Sequence, residues 1–313
     1  MTATTFDFTS AGVRCAATHF AGADGAPVVV LAHGLAGTQD AGMFPFAEAF
    51  AAAGLHAVTF DYRGFGASDA AAGESRQVVS LAGQVADLHA AADAAKRLPG
   101  VDPARVVLWG VSLGGGHVVS AAAERTDVTA VVSVVPMVDG LAAARLATKH
   151  HAPGRLLAST GRGLASAVRR RAGRGPAMIP VVARPGEPGA LTLEGAYEDY
   201  LAIAGPTWRN EIAADVVLEL GSRAPARAAA SLEVPWLVQV ADFDRSAPLQ
   251  AAMKAAFSGR AEVRHYPGDH FDLFAGKPFH EPAVEHALHF LLRQFPDVEV
   301  AQRRSRDEEP VNG

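Results

Sequence analysis

A single cysteine, Cys15, stands among 313 residues, so no intramolecular disulfide can staple this chain. Hydrophobic residues make up 49% of it, yet no unbroken apolar run approaches the roughly 20 residues that a membrane span needs. Positive charge is not in excess: 28 Lys and Arg face 33 Asp and Glu for a formal net charge of −5, which sets nucleic acid aside as a partner. A phosphate loop of the form G-x-x-x-x-G-K-[ST] is missing, and Gly64-Phe65-Gly66 lacks the third glycine of a dinucleotide fingerprint, so no organic cofactor is expected. The pair His150-His151 has no cysteine or carboxylate at ligand spacing, which argues against a metal. The first residues, Met1 to Asp7, show neither the basic start nor the apolar stretch of a secretory signal. A cytoplasmic location is the expectation.

What is present is an alternation of strand and helix signals, the pattern of a mostly parallel sheet covered by helices on both faces. A hairpin is expected across Thr5–Phe8 and Val13–Thr18, then strands at Pro27–Ala32 and His56–Phe60 around a helix at Phe46–Ala53. A long helix should follow over Leu81–Leu98, then a strand at Val106–Trp109, a helix at Gly115–Ala123 and a strand at Val128–Val135. The alternation stops between Val138 and Leu232, where Gly and Pro thicken and only short helical pieces are expected. It resumes with strands at Val234–Val240 and Ala261–Tyr266 and a last helix from Pro282 to Phe295. The length suits one large α/β domain with room for an insertion. The expected division is a core over 1–137 and 233–296, an inserted helical cap over 138–232, and a charged, disordered tail over 297–313.

Chemistry enters at Gly110-Val111-Ser112-Leu113-Gly114, a G-x-S-x-G pentapeptide between an apolar strand and an Ala-rich helix. A strand that bends this sharply into a helix lifts one serine hydroxyl above the sheet edge, and glycines on either side let the backbone turn. A serine needs a base, and the base needs an orienting carboxylate. Acid candidates follow the strand that ends at Val240, with Asp242 and Asp244 two residues apart. The base candidate is His270, just past the final strand, whereas His265 lies inside it.

These motifs, with His33-Gly34-Leu35 and the loop Asp61-Tyr62-Arg63-Gly64-Phe65-Gly66-Ala67-Ser68, resemble the α/β-hydrolase superfamily over about residues 25–140 and 232–295. The branch with esterases, thioesterases, S33-type peptidases and C–C bond hydrolases is the most similar. The resemblance implies a triad of Ser112, Asp244 and His270. Asp244 is favoured over Asp242 by its D-x-x-x-P spacing to Pro248, and Asp139 is a third alternative. The resemblance further implies an oxyanion hole from the backbone N–H groups of Leu35 and Leu113, and a lid inserted after the sixth strand. His33 is expected to shape the oxyanion loop, Asp61 and Arg63 to tie the next loop, and His117 to pack beside the elbow helix. Serine at the elbow excludes the dehalogenases and epoxide hydrolases of this fold, which use aspartate there.

Eight cations and no acid lie between Arg145 and Arg174. They could draw an anionic substrate, or form a solvated face balanced by carboxylates elsewhere. Trp208, an aromatic beside polar residues, is expected near the substrate, and the small side chains of the insertion suggest a modest apolar pocket suited to short or medium acyl chains. The expected function is hydrolysis of a small carboxylic ester or thioester. Acyl transfer or peptidase activity on the same triad, a non-catalytic scaffold, and a homodimer all stay open.

Overall fold

The computed structural model describes residues 3–221 and 224–298. It contains an eight-stranded sheet in the order β1-β2-β4-β3-β5-β6-β9-β10. β1 (Ala3–Ser10) and β2 (Val13–Phe20) form an antiparallel hairpin. β2 is antiparallel to β4 (His56–Phe60), and from there the sheet is parallel through β3 (Ala26–Ala32), β5 (Val101–Val111), β6 (Val128–Val134), β9 (Trp236–Ala241) and β10 (Glu262–Tyr266). β3 and β4 are buried at every position, as strands covered by helices on both faces are; β3 is an unbroken apolar run, whereas β4 also buries His56 and Thr59.

The covering helices are α1 (Phe44–Ala52), α2 (Leu81–Ala95), α3 (Leu113–Ala123), α8 (Leu249–Ser258) and α9 (His280–Gln294). α2 begins where the Ser80 side chain accepts from the Gly83 N–H, relieving one of the four unpaired amides of a helix start. Phe46 and Phe50 of α1 pack against the fully buried indole of Trp109 on β5. No helix among the described residues is long and apolar enough to cross a membrane.

Between β6 and β9 run α4 (Gly140–His150), α5 (Pro153–Arg171), a two-strand ladder of β7 (Met178–Ile179) with β8 (Ile212–Ala213), α6 (Ala196–Ile203) and α7 (Val216–Leu220). Short turns at Pro225–Arg227 and Ala229–Ser231 lead back to the sheet. This stretch is more helical than its composition suggested: α5, at 19 residues, is the longest helix described. Gly154, Gly161 and Gly163 lie inside it and do not break it. Glycine costs a helix only about 1 kcal/mol relative to alanine, a penalty that packing outweighs. Gly163 is also needed there, since a Cβ would lie 2.6 Å from Val217 Cγ2.

Elsewhere the elements differ from expectation at their ends. β5 starts five residues early at Val101, α3 begins directly after Ser112, and α8 was not anticipated. The predicted disordered tail falls, from residue 299 onward, outside the described residues.

Candidate active site

Three loops at the C-terminal ends of parallel strands converge, the usual place for a site in such sheets. Ser112 follows β5 as the residue before α3, with φ 55° and ψ −118°. A non-glycine residue at positive φ carries strain, and here it is held by its neighbours. The Ser112 N–H donates to Val134 O (2.9 Å), and its carbonyl accepts from the Met137 N–H (2.9 Å). The flanking glycines are steric necessities: a Cβ on Gly110 would sit 2.3 Å from Gly114 O, and one on Gly114 would sit 2.2 Å from Ala32 O.

His270 Nε2 lies 3.0 Å from Ser112 Oγ, and His270 Nδ1 lies 2.7 Å from Asp244 Oδ2. The other Asp244 oxygen accepts the N–H groups of Ser246 and Ala247, both at 2.7 Å. Both the histidine and the aspartate are buried. Asp242 is directed elsewhere, to His265 Nδ1 at 2.7 Å, and Asp139 caps α4 by accepting from the Ala142 N–H. The two acid alternatives are therefore already engaged.

Burial alone would lower the His270 pKa. The charge and hydrogen bond of Asp244, with a smaller contribution from the Asp269 carboxylate, outweigh it and raise the imidazole above its ordinary value. Asp269 accepts from the His270 N–H (2.8 Å) and is clamped by Arg245 through its own N–H (3.1 Å) and its Nε (2.7 Å). Arg245 also reaches Glu194 O at 3.1 Å, so one side chain links the acid loop, the histidine loop and the segment between β6 and β9. Sequence reasoning passed over this pair. The only local signal was an acid placed between Gly268 and His270.

Leu35 and Leu113 both border the same cavity as Ser112 and His270, and neither N–H donates a hydrogen bond among the described residues. Leu113 opens α3, where a backbone N–H has no intrahelical acceptor. The Leu35 loop is gripped from behind: Tyr200 Oη donates to Leu35 O (2.7 Å), and Trp208 Nε1 donates to Ala36 O (3.1 Å). The two rings stack at 5.0 Å. Trp208 thus touches the loop after β3 and is not among the cavity-lining residues. Tyr200 was not foreseen, because its partner is 165 residues away in sequence. His33 donates from Nδ1 to Gly34 O (3.0 Å), and burial pushes its pKa down to about 4, so it is a neutral donor. Asp61 accepts from Gln39 N (2.7 Å) and Ala67 N (2.9 Å), Arg63 pairs with buried Asp87, and His117 meets Gln84 at 2.9 Å within the core.

The cavity holds about 650 Å³, within the range of sites for drug-sized ligands. It is larger than the modest pocket expected. The same small residues, among them Gly140, Ala143, Ala144, Ala147 and Ala158, leave space open instead of filling it. No cluster of three or more His, Cys, Asp or Glu side chains among the described residues is arranged to hold a metal.

The sheet order, the elbow and the converging loops define an α/β-hydrolase. The family model described as serine aminopeptidase, S33, matches residues 24–274, and the chain belongs to that family. It is 35% identical over 273 residues to the quorum-quenching protein AidA of Acinetobacter baumannii (strain MDR-ZJ06), covering 86% of this chain and 87% of that protein. A shorter match, 30% over 128 residues, links it to the thiohydrolase aneE of Aspergillus aculeatus, covering 41% of this chain and 39% of that one. The crystal structure of the α/β-hydrolase GrgF from Penicillium sp. sh18 superposes with a TM-score of 0.78 over 94% of this chain and 99% of that one. At 23% identity, that likeness is one of fold.

Proposed function

We propose that the protein is a serine hydrolase that cleaves carboxylic esters or thioesters through an acyl-enzyme on Ser112. The observation that carries this reading is the unbroken contact from Asp244 through His270 to Ser112, at 2.7 and 3.0 Å. His270 Nε2 takes the hydroxyl proton as Ser112 Oγ attacks the carbonyl carbon, and Asp244 holds the Nδ1–H tautomer and stabilises the imidazolium. The N–H groups of Leu35 and Leu113 receive the oxyanion. His270 then gives its proton to the leaving alcohol or thiol. Water, deprotonated by the same imidazole, attacks the acyl carbon, and the acid leaves as Ser112 regains its proton.

Residues 138–232 act as the lid in this reading, with the acyl chain in the 650 Å³ cavity. Trp208 serves by holding the Ala36 carbonyl, not by touching substrate. The thiohydrolase among the partial matches supports a thioester as one leaving-group class.

The test is turnover of p-nitrophenyl acyl esters and the matching acyl thioesters by wild type and Ser112→Ala. Loss of about 10⁶-fold in kcat in the variant is expected. Equal rates in both would overturn the assignment. Labelling by a fluorophosphonate, which needs an activated serine, separates an enzyme from a scaffold. An added alcohol or amine acceptor reports acyl transfer.

A further inference from the structure

The cations between Arg145 and Arg174 have few ion-pair partners among the described residues. Between Asp139 and Glu187 there is no acidic residue, although the chain as a whole carries −5. Of the eight cations from Arg145 to Arg174, only Arg170 makes an ion pair among the described residues, to Asp215. Outside this stretch arginines are commonly paired: Arg63 with Asp87, Arg105 with Asp102, Arg125 with Asp127, Arg245 with Asp269. The balanced, solvated face considered from sequence is therefore not what forms.

The same helix leaves large apolar side chains in water. Leu157, Leu164 and Val168 of α5 are 75%, 54% and 67% exposed. At 3.6 residues per turn, positions 157, 164 and 168 fall within about 40° of one another, a single stripe. Arg155, Arg162 and Arg169 form a second exposed stripe about 40° wide; Arg155 and Arg162 border the cavity wall, and Arg169 does not border it. Gly163 and Ser166 turn inward. Between the stripes lie only the small residues Gly154, Ala158, Gly161 and Ala165, the first two of which also border the cavity. Such a helix, apolar along one edge, cationic along the other and bulk-free between, is shaped to lie in the plane of an interface.

We propose that the outward face of α5 docks on an anionic lipid surface, with Leu157, Leu164 and Val168 in the acyl boundary and the arginines on lipid phosphates. Three partner classes meet this face differently. A polyanion such as nucleic acid satisfies the arginines and leaves the leucines in water. A second copy brought face to face sets cations against the same cations, because a two-fold contact is made from one patch twice. An anionic bilayer satisfies both stripes. The N-terminal half of α5, from Gly154 to Arg162, lines the cavity that reaches Ser112, so docking brings lipid-dissolved molecules to a wall of that cavity.

The test is co-sedimentation of the full chain with vesicles of phosphatidylcholine alone, or mixed with phosphatidylglycerol. Binding to the mixed vesicles only, weakened by salt, is expected. Arg169→Gln with Arg171→Gln should lower the partition coefficient about fivefold per arginine. Leu164→Ser with Val168→Ser should lower it by at least about tenfold. Neither pair borders the cavity, so hydrolysis of a soluble p-nitrophenyl ester should be unchanged and thereby report a folded protein. Absence of binding to the mixed vesicles overturns the proposal. So does binding that the leucine–valine pair does not weaken and duplex DNA competes away, which marks a polyanion site. A dimer that dissociates in the leucine–valine variant, without vesicle binding, marks a second copy as the occupant. Membrane binding is read separately from turnover, so its failure leaves the hydrolase assignment standing.

Discussion

The phenol of Tyr200 donates a 2.7 Å hydrogen bond to the carbonyl oxygen of Leu35, from the helix α6 to the loop after β3. Both groups are buried, so the bond anchors the residue whose N–H is assigned to the oxyanion, through the carbonyl of its next peptide. Tyr200→Phe keeps the stack on Trp208 and removes only the donor. The Leu35 carbonyl would then be buried without its partner, at a cost of about 1–3 kcal/mol. Melting should fall by about 2–4 °C for each kcal/mol lost. Because the loss acts on a transition-state contact, kcat should drop about tenfold with KM nearly constant. A fall in KM-dependent binding with kcat intact would show that the phenol serves the substrate instead.

Asp244 and Asp242 should separate sharply on substitution. Asp244 is buried with both oxygens engaged around His270, so Asp244→Asn should lower kcat about 10⁴-fold by favouring the wrong imidazole tautomer. Among the described residues the Asp242 carboxylate meets His265 in a half-exposed pair, a contact worth about 0–1 kcal/mol, and Asp242→Asn should leave kcat within about twofold. Steady-state kinetics of both variants on one ester decides the matter.

The pH profile follows from the raised pKa of His270. The base must be neutral to accept the Ser112 proton, so kcat/KM should rise with pH along an acid limb whose midpoint lies above the ordinary histidine value of about 6.5. Asp269 contributes to the raising, and Asp269→Asn removes its charge while keeping an oxygen for the His270 N–H. The limb should then move to lower pH, leaving more base available in mild acid. A limb that stays in place would assign Asp269 to loop geometry alone.

The turn at Ser112 was legible because it is local. Gly110, Ser112 and Gly114 are forced by a turn in which any Cβ would strike backbone, and such a turn writes itself into five consecutive residues. The parallel sheet was legible for the same reason, since β3 is buried on both faces and reads as an unbroken apolar run. Choosing between Asp244 and Asp242 needed the direction of a loop, which sequence spacing constrained only through Pro248. The grip of Tyr200 and Trp208 on Leu35 and Ala36 was illegible, because it joins positions about 170 residues apart and depends on how the insertion folds back. The glycines of α5 misled for a physical reason: one of them is there for close packing against Val217, not for a turn.

The cavity makes the last prediction quantitative. Ala143, Ala144 and Ala147 of α4 line it with side chains one carbon deep, and 650 Å³ remains open toward Ser112. Each methylene buried from water contributes about 0.8 kcal/mol, so kcat/KM should grow about fourfold per added carbon while the acyl chain still finds apolar wall. Growth should stop, then reverse, once the chain reaches the end of the space. Ala144→Phe fills part of it with a ring, and the optimum should move to a shorter chain while acetate turnover changes by no more than about twofold. A p-nitrophenyl ester series from acetate upward, run on both proteins, reads this directly. A profile flat from acetate to the longest chain in wild type would mean that the acyl group does not enter the cavity, and that the leaving group occupies it instead.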